Sequence, residues 1–202
     1  YNLEVGRGVK KDVGANARVV AYISEAIEYK RLEELEKRSE MPSIWLELGT
    51  GKKSKFLMGV VYREHKSWGG PEAELRVANQ QKRWRDWLNT YLDIWEGDRE
   101  VILVGDFNID MQRKETGSKA RMQQDTASKI LSKGWWQLMA EKTFQSKSSK
   151  VQGKDGGSTL DWILANKPDN VKQTKAEWTG TGADHAIVWA VKEMKEKFRK
   201  KQ

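Results

Sequence analysis

Apolar residues in this chain fall into short runs divided by polar and glycine-rich stretches. Residues 18–23 (Arg-Val-Val-Ala-Tyr-Ile) read as a strand. Residues 43–48 alternate as a half-buried strand does. Residues 56–62 follow after Gly49-Thr50-Gly51-Lys52-Lys53, so the two runs predict a hairpin. Residues 71–96 predict a long helix, with Pro71 in its first turn. Leu75, Trp84, Leu88, Tyr91, Leu92 and Trp95 recur there at helical spacing, which reads as a core-facing stripe rather than a base-stacking platform. Residues 118–131 predict a second helix, stopped by Gly134. Further strands are expected at 101–104, 160–164 and from Asp184 onward, with a short one near 176–179 and a turn at 166–170. Residues 25–40 are charged and lack a clean apolar stripe, so they predict a loop or a short helix. Residues 1–16 and 193–202 read as loose ends of a single domain. Strands alternating with helices, some of them in hairpins, predict an α/β fold with mixed sheets.

The strand ends add chemistry to this pattern. Val101-Ile102-Leu103-Val104 stops at Gly105, and Asp106 and Asn108 follow two residues apart. A period of two aims a carboxylate and a carboxamide the same way. Such an end suits a metal, a water or a phosphate; an Asx-rich turn is the plainer reading. In Ser158-Thr159-Leu160-Asp161-Trp162-Ile163-Leu164 one acid sits inside an apolar run, a costly place unless that acid is paired. Asp184-His185 opens another apolar run.

Composition narrows the class. The 202 residues suffice for one domain with a full core. With 38% apolar and 33% charged residues, the chain reads as a globular protein with a charged surface. No apolar run is long enough to span a membrane, and residues 1–16 lack the apolar core of a secretory signal. Cysteine is absent, which excludes disulfides and thiolate metal sites and suits a reducing, intracellular compartment. A net charge of +8 and a pI near 9.5 favour a polyanionic partner, nucleic acid first. Lys147, Lys150 and Lys154, in a Ser/Lys/Gly-rich loop, read either as contacts to a nucleic-acid backbone or as a solvated surface. Trp68 and Trp178 read as base-stacking candidates or as covers for core edges. His65 reads as a surface residue.

Taken in order, Gly105-Asp106-Phe107-Asn108, Ser158-x-x-Asp161-x-Ile163 and Asp184-His185 resemble the strand ends of the endonuclease/exonuclease/phosphatase family. The resemblance is strongest to the apurinic-endonuclease-like domain of non-LTR retrotransposons and covers roughly residues 17–192. It implies a DNase I-like, four-layer sandwich of two packed sheets flanked by helices, with the site at one mouth. It implies metal-dependent cleavage of DNA by nicking, Mg²⁺ or Mn²⁺ as cofactor, and a nuclear site of action. Carried over residue by residue, Asp106 would orient or deprotonate the attacking water. Asn108 would hydrogen-bond the phosphate or that water. His185 would contact the phosphate, Asp161 would orient His185, and Tyr62 would contact the phosphate or leaving group. Asp184, Asp106 and Asn108 would hold the metal. Ser158 or Thr159 would hydrogen-bond near the phosphate.

The chain departs from the family pattern at its start. The family opens with an Asn-bearing strand and a strand ending in the main metal-binding Glu, and neither is found, so the N-terminal part of the fold is expected to be missing. Glu4 stands near the right place in order but in another context. Ala183 stands where a small hydroxyl residue is usual, and Arg63-Glu64 where retrotransposon relatives commonly carry Arg-Pro. A piece of a longer protein, substitution by another acid such as Glu4, or a degenerate binding domain each accounts for the departure. The competing functions are therefore a nicking endonuclease, a nucleic-acid-binding domain with an impaired site, and a phosphatase or phosphodiesterase acting on smaller phosphates.

Overall fold

The computed structural model describes residues 1–6, 19–38, 41–49, 55–63, 73–94, 99–112, 117–146 and 157–194. Three strands come first: β1 (Asn2–Val5), β2 (Val20–Ile23) and β3 (Tyr29–Arg31). A single turn, α1 (Glu33–Glu36), leads to the hairpin β4 (Ser43–Leu48) and β5 (Phe56–Tyr62). Helix α2 (Ala73–Ile94), strand β6 (Val101–Asp106), helix α3 (Gly117–Ser132) and the short β7 (Trp136–Gln137) follow. Last come β8 (Asp161–Ala165), a 3₁₀ turn at Pro168–Asn170, β9 (Val171–Glu177) and β10 (Ile187–Lys192).

Six strands form one mixed sheet in the order β3-β4-β5-β6-β8-β7. Only β5 and β6 run parallel, as the intervening helix α2 allows; every other pair is antiparallel. Strict alternation sorts the side chains. Leu57, Val61, Val101, Leu103, Trp162 and Leu164 face the helices, where they meet Leu35 of α1, Trp84, Trp87, Leu88, Tyr91 and Leu92 of α2, and Ile130 of α3. Phe56, Met58, Val60, Tyr62, Ile102, Val104 and Ile163 face the other way, toward two antiparallel ribbons, β1-β2 and β9-β10. A helical layer, a mixed sheet and a second β layer are thus stacked around two cores. The ribbon side is less completely covered: Leu57 and Leu103 are fully buried, whereas Met58, Val60 and Val104 of the same strands are only half-buried.

The two predicted helices and the β4–β5 hairpin are found where the pattern put them. Trp84, Leu88, Tyr91 and Leu92 are all buried, and so is Trp87, which continues the stripe three residues after Trp84. Trp95 and the side chain of Leu75 lie outside the described residues. Four expectations are corrected. Residues 25–40 hold not only a short helix but also β3, because Tyr29–Arg31 pair with Leu46–Leu48 of β4. Residues 2–5 are not a loose loop but a strand, because Leu3 and Val5 pair across to Tyr22 and Val20. The segment near 176–179 belongs to a strand already under way at Val171, paired along β10. Asp184 and His185 precede β10 rather than beginning it, because their backbone is engaged elsewhere. Gln145 N–H donates to the Asp184 carbonyl at 2.8 Å, and His185 forms an isolated bridge with Phe144.

Candidate active site

Three neighbouring strands place one row of side chains at one end of the sheet. In register, Tyr62 of β5 lies beside Asp106 of β6, and Asp106 lies opposite Asp161 of β8. By alternation all three share the ribbon-facing side. The β5–β6 pairing is tight at this end. A Cβ on Gly105, whose φ is +144°, would overlap the Val61 carbonyl oxygen, so both space and conformation demand glycine.

Beyond Asp106 the chain folds into an Asx turn. Asp106 Oδ1 accepts from Asn108 N–H at 2.9 Å and Oδ2 from Asn108 Nδ2 at 2.8 Å. Asn108 adopts φ +50°, in the left-handed region that Asn tolerates. Phe107 points the opposite way and anchors the turn. It is fully buried, stacks on Trp162 at 4.7 Å and meets Trp84 and Trp87 edge-on.

His185 approaches from the segment before β10. Its Nδ1 lies 2.9 Å from Asp161 Oδ2, and its ring packs 5.0 Å from that of Phe144. This hydrogen bond holds the His185 pKa above its ordinary value, against the desolvation that lowers it. Asp106 is pushed up to about 6, first by burial and then by the Asp161 carboxylate opposite, despite the hydrogen bonds from Asn108 and the positive character of His185. Like charges facing each other across a ladder are unfavourable, and such a pair marks a site where a cation or a proton is expected.

Thr143 ties the two halves together, and sequence reasoning missed it. Fully buried, its Oγ1 accepts from Leu160 N–H at 3.0 Å and Asp161 N–H at 2.9 Å, while its carbonyl accepts from Ala186 N–H at 2.7 Å. One residue thus fixes the start of β8 and the approach to β10. A threonine beside a phenylalanine gives no signal in a single sequence. Arg63, named above only as the residue before the Glu64 departure, is also buried, and its guanidinium is pulled down to about 10 by desolvation.

The structure therefore brings together Asp106, Asn108, Asp161 and His185, with Tyr62 next in the row. Asp184 is exposed beside His185 and acts on it through space. Thr159 is turned away: its Oγ1 donates to the Glu141 carbonyl at 2.9 Å in a buried position, which corrects the expectation of a phosphate contact. The backbone of Ser158 pairs with Phe144. Glu4 is a structural acid, its carboxylate accepting from Tyr29 Oη and Arg31 Nη1, both at 2.8 Å. Trp178, 44% exposed, follows β9. His65, Trp68, Lys147, Lys150 and Lys154 lie outside the described residues.

Among the described residues, no three His, Cys, Asp or Glu side chains gather into a metal-binding group. The hard oxygens at the end of β6 nevertheless suit a magnesium ion, which keeps several waters and needs only one or two carboxylates. The buried, upward-shifted Asp106 beside Asp161 is where such a charge would relieve repulsion.

A model of the endonuclease/exonuclease/phosphatase family matches residues 5–185. Among solved structures, the chain is similar to the endonuclease domain of TRAS1, a telomere-specific non-LTR retrotransposon. That match has a TM-score of 0.62 at 12% identity and covers 96% of this chain and 81% of that one. It is similar to a 3′ phosphatase, NExo, from Neisseria bound to a product DNA hairpin, with TM-score 0.58, 12% identity and coverage of 85% and 72%. It also resembles an AP endonuclease from Archaeoglobus fulgidus, with TM-score 0.54, 15% identity and coverage of 79% and 66%. No curated protein matches it.

Proposed function

Because the chain belongs to the endonuclease/exonuclease/phosphatase family, we propose that it hydrolyses phosphodiesters in a metal-dependent reaction, as a DNA-nicking endonuclease domain of a retrotransposon-type protein. The observation that carries this reading is the row Asp106–Asp161 with His185 hydrogen-bonded to Asp161 at 2.9 Å. The TRAS1 likeness favours DNA nicking within that chemistry, and the positive net charge suits a polyanion. A nuclear site of action belongs to the same reading.

Hydrolysis requires an oriented water, stabilisation of charge on the phosphate oxygens and help for the leaving oxygen. Asp106, raised to about 6, accepts the proton of the attacking water near neutral pH. Asn108 is held against Asp106 by two hydrogen bonds and gives its other Nδ2 hydrogen to the Arg63 carbonyl, so its Oδ1 is the atom that accepts from the water and aligns it. Asp161 fixes the His185 ring and favours its protonated form, so His185 donates to the scissile phosphate through its other ring nitrogen. Tyr62, next in the row beside Asp106, would contact the phosphate or leaving group. Asp106, Asn108 and Asp184 would hold Mg²⁺ or Mn²⁺. When bound, that ion supplies charge stabilisation at the phosphate and the leaving oxygen.

One observation favours a second reading. Glu4 is occupied by Arg31 and Tyr29 and so does not stand in for the family's metal-binding glutamate. This fits a nucleic-acid-binding domain with an impaired site. A phosphatase or phosphodiesterase acting on smaller phosphates is the remaining alternative, and the NExo likeness keeps it within the fold's range.

The test is a supercoiled-plasmid nicking assay with Mg²⁺ or Mn²⁺. Nicking that needs the ion and is lost in both Asp106→Ala and His185→Ala is the expected outcome. DNA binding without nicking would replace the enzyme with the binding domain. Phosphate release from a small soluble ester, with plasmid untouched, would select the third activity.

A further inference from the structure

We infer that Arg63 is a positioning residue whose guanidinium grips the Phe107 and Asn108 carbonyls and so holds the turn that sets the Asn108 carboxamide against Asp106; the catalytic meaning of that hold rests on the nuclease reading above. Arg63 follows β5 and is only 4% exposed. Its side chain and backbone close a clasp around the Asx turn. Arg63 N–H donates to the Asp106 carbonyl at 2.8 Å. Its Nη1 donates to the carbonyls of Phe107 at 3.3 Å and Asn108 at 3.2 Å. In return, Asn108 Nδ2 donates to the Arg63 carbonyl at 2.8 Å and to Asp106 Oδ2 at 2.8 Å. Each of the three turn residues is thus bonded to residue 63, and Asn108 through both its backbone and its side chain.

The remaining contacts explain why arginine suits the position. Nη2 reaches Met122 Sδ at 3.2 Å, and the guanidinium lies 5.8 Å from the Trp84 ring centroid. A planar fork reaches two carbonyls and a thioether at once, which a lysine ammonium does not. Among the described residues Arg63 forms no ion pair, and its Nε has no hydrogen-bond partner. A buried cation of this kind costs stability. A residue needed only to fill the core beside Trp84 and Met122 would be apolar. Its hydrogen bonds to oxygen go to carbonyls of the turn that carries Asp106 and Asn108. These bonds fix the left-handed turn that Asn108 tolerates.

Two measurements test this. The first is a nicking-kinetics cycle of Arg63→Met, Asn108→Ala and the double variant, with Arg63→Lys as the partner of lesser disruption. Arg63→Met is expected to lower kcat about tenfold or more with KM changed less than about threefold, and to add less than about twofold on top of Asn108→Ala. Arg63→Lys should keep part of the rate. Equal losses in the wild-type and Asn108→Ala backgrounds would mean that Arg63 acts by stability alone and would overturn the proposal. The second is the ¹⁵N–¹H signal pair of the Asn108 side-chain amide. It should move toward the position of free asparagine in Arg63→Met, or in Arg63→Lys if the methionine variant does not fold. Unmoved signals would also overturn it. If the wild-type chain does not nick, the nuclease reading fails by itself, while the amide signals still decide whether the clasp exists.

Discussion

Gly105 shows how narrow the tolerance is at the end of β6. Its φ of +144° and the Val61 carbonyl against its Cα leave no room for a side chain, so Gly105→Ala forces the parallel strands apart just before Asp106. The expected loss is about 3 kcal/mol or more of unfolding free energy, read by urea denaturation. Glu4 yields a prediction of a different kind. Its carboxylate is held below the ordinary range by the Tyr29 hydroxyl and by Arg31. A group with a lowered folded pKa stabilises above its unfolded pKa and ceases to do so as pH falls through the folded one. Glu4→Gln should therefore lower Tm at neutral pH, and the gap to wild type should close as the pH falls below about 4. A gap that persists at low pH would assign the loss to packing instead. At this scale the strand-end motifs and the family resemblance already singled out Asp106, Asn108, Asp161 and His185, which the fold brings together. Arg63 and Thr143 were not, because a single sequence does not say which polar residues are buried.

Among the elements, β6 and β8 carry the site because aromatic packing anchors them on the opposite face of the sheet. Phe107 stacks on Trp162 with an interplanar angle of 10°, and Trp84 stacks on Trp87 at 5.1 Å. The residue between Asp106 and Asn108 therefore serves as the bolt for the turn. Phe107→Ala should cost about 3–5 kcal/mol of stability, as truncation of a large buried aromatic does. It should also loosen the Asp106–Asn108 turn, visible as faster amide exchange at Asn108. The long helix α2 was readable because its stripe repeats over many turns. Strand β1 was not, because four residues with two exposed apolar side chains, Leu3 and Val5, carry no strong period. The beginning of β10 was misplaced for a related reason. Apolar pattern does not reveal that Asp184 and His185 engage their backbone with residues 144–145.

On the scale of the whole molecule, net charge and fold point the same way. A chain of net charge +8 that binds a DNA backbone should lose affinity steeply with salt. A log–log plot of affinity against salt with a slope of several units is expected; a flat plot would argue for a small, weakly charged substrate. No helix among the described residues is long and apolar enough to cross a membrane. The family assignment was within reach of three short motifs in the right order, while the arrangement of one broad sheet and two ribbons needed the backbone to be seen.

The order of strands has one last consequence. In the sheet β8 lies between β6 and β7, although it is made well after both. Asp106 stands near the middle of the sequence, whereas its neighbour Asp161 and the ring of His185 come from much later in it. During vectorial synthesis on the ribosome, the β4–β5 hairpin, α2 and β6 emerge before β8, so Asp106 is made with no carboxylate opposite. Until β8 slots into the gap and residues 184–186 fold back, the nascent polypeptide holds only half of the constellation. A site assembled in this order stays incomplete until β8 and the segment before β10 have been made.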